Sequence, residues 1–211
     1  LNPNLEIVLP TIEIIGEDTK GDDIDNLKNT DPKTDYKLTG LAVFKENKIL
    51  TTLKEKESII YNIITNNINN TILKYECEKD KYISNKISEI STSTEIEPKT
   101  NKLKLKLKGT ATISEVHCNY DLTNPKTIKE IEKNINNQLT KDTLNLIKRF
   151  QNLHTDIFGF KDIYYKNNYK EFQNIKNNYD EKFKNMQLEI KSNIKIIAKG
   201  NVEGDIYEME N

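Results

Sequence analysis

Side chains capable of reactive chemistry are few. The chain holds two cysteines, Cys77 and Cys118, and two histidines, His117 and His154. His117 adjoins Cys118, a pair that could hold a soft metal. Neighbours on a strand point to opposite faces, however, and do not share an ion. His154 falls near the end of a predicted helix with no His or Cys three or four residues away, so it has no partner for a zinc pair. Each cysteine stands alone in a β-like stretch. One disulfide is chemically allowed, but sequence alone does not bring two Cα atoms within bridging range. The expectation is therefore two free thiols at sheet positions. Gly21, Asp22, Asp23 and Asp31 resemble a cation loop in composition, yet their spacing fails the EF-hand pattern. There is no phosphate loop, nucleophile elbow or zinc helix. Acids are spread so evenly that no catalytic pair stands out. No catalytic, cofactor-binding or metal-ligating residue is assigned, and no cofactor is expected.

Binding chemistry has more to work with. In KLKLKLKG, Lys102, Lys104, Lys106 and Lys108 alternate with Leu103, Leu105 and Leu107, which puts one face in a core and one in water. A row of four lysines could lie against anionic lipid or a partner's acidic face. The plainer reading is a solvated strand face whose charges discourage edge pairing, and acids elsewhere in the chain favour it. Tyr169, Phe172, Ile175, Tyr179 and Phe183 form an aromatic stripe at helical spacing. Core packing accounts for that stripe more simply than a binding surface does.

Composition limits what these residues can belong to. The 211 residues carry 32 basic and 33 acidic side chains, a net charge of -1, which leaves no basic excess for nucleic acid. The hydrophobic share is only 35% and the mean hydropathy -0.74. Disordered chains pair such values with high net charge, whereas this one is nearly neutral and holds 29 isoleucines, so it is expected to fold around a thin core. No window approaches 18 apolar residues, the length a membrane helix requires. The first residue is Leu1, which suggests a fragment or processed form whose targeting signal lay upstream. Of the 32 basic residues only Arg149 is arginine. With abundant Asn and Ile, this fits an A/T-rich genome.

The elements that must position these groups follow from periodicity. An apolar extended run over 5–15 is broken by Pro10, which a central strand does not tolerate, and an acidic, glycine-bearing connection spans 16–35. Two strands then flank Lys45-Glu46-Asn47, a hairpin signal. Ile59, Ile60, Ile63, Ile64 and Ile68 mark a helix begun by Ser58 and the acids before it. Two more strands precede KLKLKLKGTATISEVH. Asn124-Pro125 opens a long helix over about 126–155 with Ile128, Ile131, Ile135, Leu139, Leu146, Phe150 and Leu153 on one side. Gly159 offers a turn with φ > 0, the aromatic helix follows, and a final strand closes the pattern. The fold class expected is α+β: an antiparallel sheet of successive strands, with the long helix and shorter helices packed on one face.

Three stretches in order carry a resemblance. LTGLAVFKENKILTTLKEKES (38–58) resembles the opening of the C-terminal domain of the Ger(x)C family of spore germination proteins, the C subunits of nutrient germinant receptors. Gly40, Ala42, Val43 and Phe44 stand at its Gly-x-Ala-Val-Phe strand. LIKRFQNLHTDIFGFKDIYYKNNYKEFQNI is similar to the family's helix ending in Asp-x-Phe-Gly-Phe, with Asp156, Phe158, Gly159 and Phe160 in those places. LEIKSNIKIIAKG matches its closing strand, and LEIVLPTIE is similar to a strand at the end of the preceding domain. The resemblance thus runs from about Leu5 to Gly200. It implies that residues 1–35 are the end of a preceding domain and a linker, and that 36–211 are the C-terminal domain. The signature residues would be structural.

The resemblance further implies a lipoprotein on the outer face of the inner spore membrane, assembled with integral-membrane A and B subunits and not known as an enzyme. The family's lipid-modified cysteine is not among these residues, since Cys77 and Cys118 are internal, so the chain would act as a soluble ectodomain. Two roles follow. A subunit that binds other proteins would show an exposed patch and no small-molecule pocket. An ectodomain that itself binds the nutrient would show a concave pocket with convergent polar groups.

Overall fold

The computed structural model describes residues 6–16, 24, 28, 30 and 33–199. Strands β1 (Val8–Gly16), β2 (Thr34–Lys45) and β3 (Lys48–Lys54) form a three-stranded antiparallel sheet in that order. Pro10 lies on the edge strand β1, where its missing donor costs no ladder bond. The β2–β3 turn places Glu46 and Asn47 at φ 50° and 64°, the doubly left-handed turn that matches strand twist in a tight hairpin. The connection expected over 16–35 is shorter at its ends, because β1 runs to Gly16 and β2 starts at Thr34. Most of its remainder, including Asp22, Asp23 and Asp31, lies outside the described residues. β1 pairs with β2 along its whole length.

Helix α1 (Glu55–Ile64) follows β3 directly. Its start is fixed by Glu57, whose carboxylate accepts from the Lys54 N–H at 3.2 Å. Ser58 lies inside the first turn and bonds back to the Leu53 and Lys54 carbonyls. Ile60, Ile63 and Ile64 are buried, while Ile68 falls beyond the helix end.

The second sheet holds β4 (Thr71–Glu78), β5 (Lys81–Glu97), β6 (Lys102–Val116) and β7 (Gln187–Lys199), in that order. The first three are antiparallel neighbours, but β7 runs parallel to β6. The fold class is α+β, and its strands form two sheets with one parallel pairing. The reason is the intervening chain: a parallel return needs a long, usually helical crossover, and residues 117–186 supply one.

That crossover begins with α2 (Pro125–Asn152), roughly 42 Å long at 1.5 Å per residue. The Asn124 side chain accepts from the Lys126 N–H at 2.9 Å, and Pro125 takes the first helical position, where its missing donor is harmless. The expected aromatic helix is instead several pieces: α3 (Phe160–Asn167), α4 (Tyr169–Ile175), a 3-10 turn at Lys176–Asn178, and α5 (Tyr179–Lys184). Asn168 and Asn178 stand at non-helical φ of -139° and -130° and break the run. Phe172, Tyr179 and Phe183 are buried as expected, while Tyr169 is exposed. One core joins both sheets to the helices, from Val43 and Leu53 through Ile63 to Leu103, Leu105, Leu107 and Phe150.

Candidate functional site

The residues singled out by sequence fall in three places. Gly40, Ala42, Val43 and Phe44 lie on β2 where it passes between β1 and β3. Gly40 has φ 151°, and a Cβ there would sit 2.0 Å from the Leu53 carbonyl oxygen, so no larger residue fits. Ala42 and Val43 are both buried, Val43 within the core, and the Phe44 N–H donates to the Ile7 carbonyl at 2.8 Å.

Asp156, Phe158, Gly159 and Phe160 form a buried turn at the far end of α2. Gly159, at φ 80°, is the residue before α3. The Asp156 carboxylate accepts from the Phe158 N–H at 3.0 Å, the Lys161 N–H at 2.7 Å and the Tyr179 hydroxyl at 2.9 Å. It thereby caps α3 and ties it to α5. Burial pushes the Asp156 carboxyl above its usual range against those three bonds, and raises the Tyr179 hydroxyl well above its own. Phe158 stacks on Phe160 at 5.2 Å and meets Phe150 edge-on at 5.8 Å. Such a turn fixes geometry and leaves no lone pair facing solvent for proton transfer.

Two side chains that sequence reasoning passed over bind this end of the helical layer to the small sheet. Lys45 donates to the His154 carbonyl at 2.8 Å and the Thr155 hydroxyl at 3.2 Å. Arg149 reaches Glu57 at 2.6 Å, the Thr51 hydroxyl at 2.5 Å and the Thr52 carbonyl at 3.1 Å, so one guanidinium joins α2, α1 and β3. Its being the sole arginine was a signal, because a forked, always-charged donor is not interchangeable with lysine.

The lysine row occupies the face of the second sheet turned away from α2. Leu103, Leu105 and Leu107 are fully buried on the other side. Since β6 is an inner strand, its lysines are flanked on both sides. Register sets Ser91, Ser93, Glu95 and Glu97 of β5 against Lys108, Lys106, Lys104 and Lys102, and Glu189 and Lys191 of β7 against Lys104 and Lys106. Lys104 bonds Glu97 and Lys102 meets Glu189 at 3.8 Å. The Lys104 contact holds the Glu97 carboxyl below its ordinary range. Lys106 and Lys108 are exposed and form none of the ion pairs among the described residues. The cationic character is concentrated there.

The expectation of free thiols is corrected. Cys77 and Cys118 form a disulfide, their Cα atoms 6.4 Å apart, within bridging range. Cys77 is the last residue but one of β4 and Cys118 follows β6. The turn after β6 carries Cys118 across the sheet to β4, a contact between segments 41 residues apart that no local pattern encodes.

A cavity of about 390 Å³ opens between β4, α1 and α2. Ile59 and Ile60 of α1, Ile72 and Leu73 of β4, and Ile135 and Leu139 of α2 wall it. On its rim Lys56 meets Asp142 at 2.8 Å and Gln138 donates to Asp142 at 2.8 Å, while the buried Tyr75 hydroxyl on its wall has no hydrogen-bond partner among the described residues.

The family model for the C-terminal domain of spore germination B3/GerAC-like proteins matches residues 39–200. The chain belongs to that family. Spore germination protein KC of Bacillus subtilis (strain 168) is 28% identical over 182 residues, 83% of this chain and 44% of that protein. Spore germination protein GerQC of Bacillus cereus is 22% identical over 170 residues, 79% of this chain and 46% of the relative. The chain thus spans less than half the length of these curated relatives. The crystal structure of the GerBC protein shares the fold, with a TM-score of 0.68 at 15% identity over 91% of this chain and 57% of that one.

Proposed function

We propose that this chain is part of a non-enzymatic C subunit of a nutrient germinant receptor, acting beside integral-membrane A and B subunits in spore germination. The observation that carries the reading is the family match over 39–200, within which the Gly40–Phe44 strand and the Asp156–Phe160 turn hold structural positions. In this reading residues 1–35 end a preceding domain, 36–211 are the C-terminal domain, and an N-terminal lipid holds the full-length protein on the outer face of the inner spore membrane. The subunit contributes protein contacts, and the exposed lysines of β6 are its candidate surface toward the A and B subunits or the acidic lipid beside them.

The deciding experiment scores dipicolinic acid release from spores lacking the gene, with nutrients compared against a trigger that bypasses the receptors. Loss of the nutrient response alone supports the reading. An unchanged response, with no paralogue to cover for the loss, refutes it. Lys106→Glu with Lys108→Glu then tests the surface: germination should fall while the purified domain stays folded. Normal germination returns the row to a solvated face. A rise in melting temperature with added nutrient would instead make the domain itself the sensor.

A further inference from the structure

Four strand edges bound the two sheets, and three of them carry an obstacle to further pairing at one point or more. β1 carries Pro10, which has no N–H to offer. On β3, the Thr52 carbonyl accepts from Arg149 at 3.1 Å. The outer side of β7 is latched by α2: Asn136 accepts from the Ile194 N–H at 2.7 Å and donates to the Ile194 carbonyl at 2.9 Å, and Glu132 accepts from the Ile196 N–H at 3.0 Å. β4 is the exception. Its inner side pairs with β5, and no hydrogen bond among the described residues reaches the other side of the Ile72–Tyr75 backbone.

The cavity runs along that open side. It is lined by four consecutive residues, Ile72, Leu73, Lys74 and Tyr75. Successive strand residues point to opposite faces, so a space touching all four follows the backbone edge and does not sit over one face. The side against β5 is filled, which leaves the free side. Opposite it stand the aliphatic side chains of α1 and α2. A slot about 13 Å long at strand rise is therefore bounded by unpaired peptide groups on one wall and by Ile59, Ile60, Ile135 and Leu139 on the other.

We propose that this slot is a strand-addition site, taking an extended segment of a partner polypeptide that pairs with β4. Backbone bonds would supply the affinity and alternate side chains the selectivity. The ligand chemistry follows from the walls. Side chains on the inner face should be aliphatic, to fill the space against α1 and α2. On the outer face, an acid opposite Lys74 and a base opposite Glu76 set the register, since charges across a strand pair interact directly. Ile72, 56% exposed, would be covered. The inference rests on strand order and hydrogen bonding, so its failure leaves the family assignment untouched.

The test selects a phage library of random ten-residue peptides on the oxidised, folded domain. Enriched peptides should alternate aliphatic residues with polar ones and slow amide exchange at alternate positions of β4. They should bind the Ile72→Asp variant at least tenfold more weakly, and lose binding when their own alternate amides are N-methylated. Ile72 is exposed, so that variant should melt like the wild type. If it does not, Lys56→Glu at the rim, 59% exposed, takes its place. The proposal is overturned if nothing enriches above bare matrix, or if binding ignores both variants and N-methylation. It is overturned equally if the domain dimerises through this edge, seen by sedimentation and abolished by Ile72→Asp, because the occupant would then be a second copy.

Discussion

Asp156→Ala should be among the most damaging single substitutions in this domain. The carboxylate is buried and holds three donors, the Phe158 and Lys161 N–H groups and the Tyr179 hydroxyl. Alanine strands all three, at about 1–3 kcal/mol for each buried group left unpaired, and removes the cap of α3, typically worth about 1 kcal/mol. Losses in one network do not add fully, so the net should be about 3–5 kcal/mol. At about 2–4 °C per kcal/mol for a chain this size, melting should fall by roughly 6–20 °C. Asp156→Asn keeps the shape and one acceptor and should cost less. It also isolates the charge. Burial raises the folded-state titration above the ordinary 3.8, so the folded protein holds this proton more tightly than the unfolded chain does. Its stabilising contribution is full below that ordinary value and is lost as pH rises through the folded value. The wild type's advantage over Asp156→Asn should therefore shrink from acid toward neutral pH. Urea unfolding of the oxidised proteins across that range measures both effects. An alanine variant within about 0.5 kcal/mol of wild type, a difference typical of harmless surface changes, would refute the argument, as would pH profiles that stay parallel.

Two further outcomes follow. Gly40→Ala should lower stability by more than the roughly 1–3 kcal/mol of backbone strain alone, because its Cβ would meet the Leu53 carbonyl at 2.0 Å. Thermal melting that matched wild type would mean β2 and β3 part easily there. Replacing both Cys77 and Cys118 with serine opens a link spanning 41 residues, for which the chain-entropy relation gives about 4 kcal/mol. Urea midpoints of that variant and of the wild type under reducing conditions should fall together.

What was legible in the sequence is what neighbours in sequence decide. The alternation of Leu103, Leu105 and Leu107 located a buried strand face, and Glu46-Asn47 marked a tight turn. Asn124-Pro125 placed the start of α2 because cap and proline act within one turn. The aromatic stripe showed which of its residues are mostly buried but not that Asn168 and Asn178 interrupt the helix, since its spacing fits an unbroken helix nearly as well. Long-range pairings left no local trace. The Cys77–Cys118 bond, the parallel seat of β7, the reach of Arg149 to β3 and the slot beside β4 each depend on where distant segments meet. Gly40, Ala42, Val43, Phe44 and the Asp156 turn were recognisable only as a family pattern, and the physical reasons for Gly40 and Asp156 appear once Leu53 and Tyr179 stand beside them.

The parallel seat of β7 also bears on the order in which the molecule is made. β6 receives its second neighbour only after residues 117–186 have been synthesised, roughly 4–14 s at about 5–20 residues per second. Throughout that interval the strand with the most regular hydrophobic alternation in the chain has an unfilled side on the nascent polypeptide, the condition under which strands recruit one another and aggregate. Lys102, Lys104, Lys106 and Lys108 are already in place on it. Two such strands meeting on neighbouring ribosomes would bring like charges together, so the row that borders Glu97 and Glu189 in the finished fold acts earlier as a guard on the unfinished one.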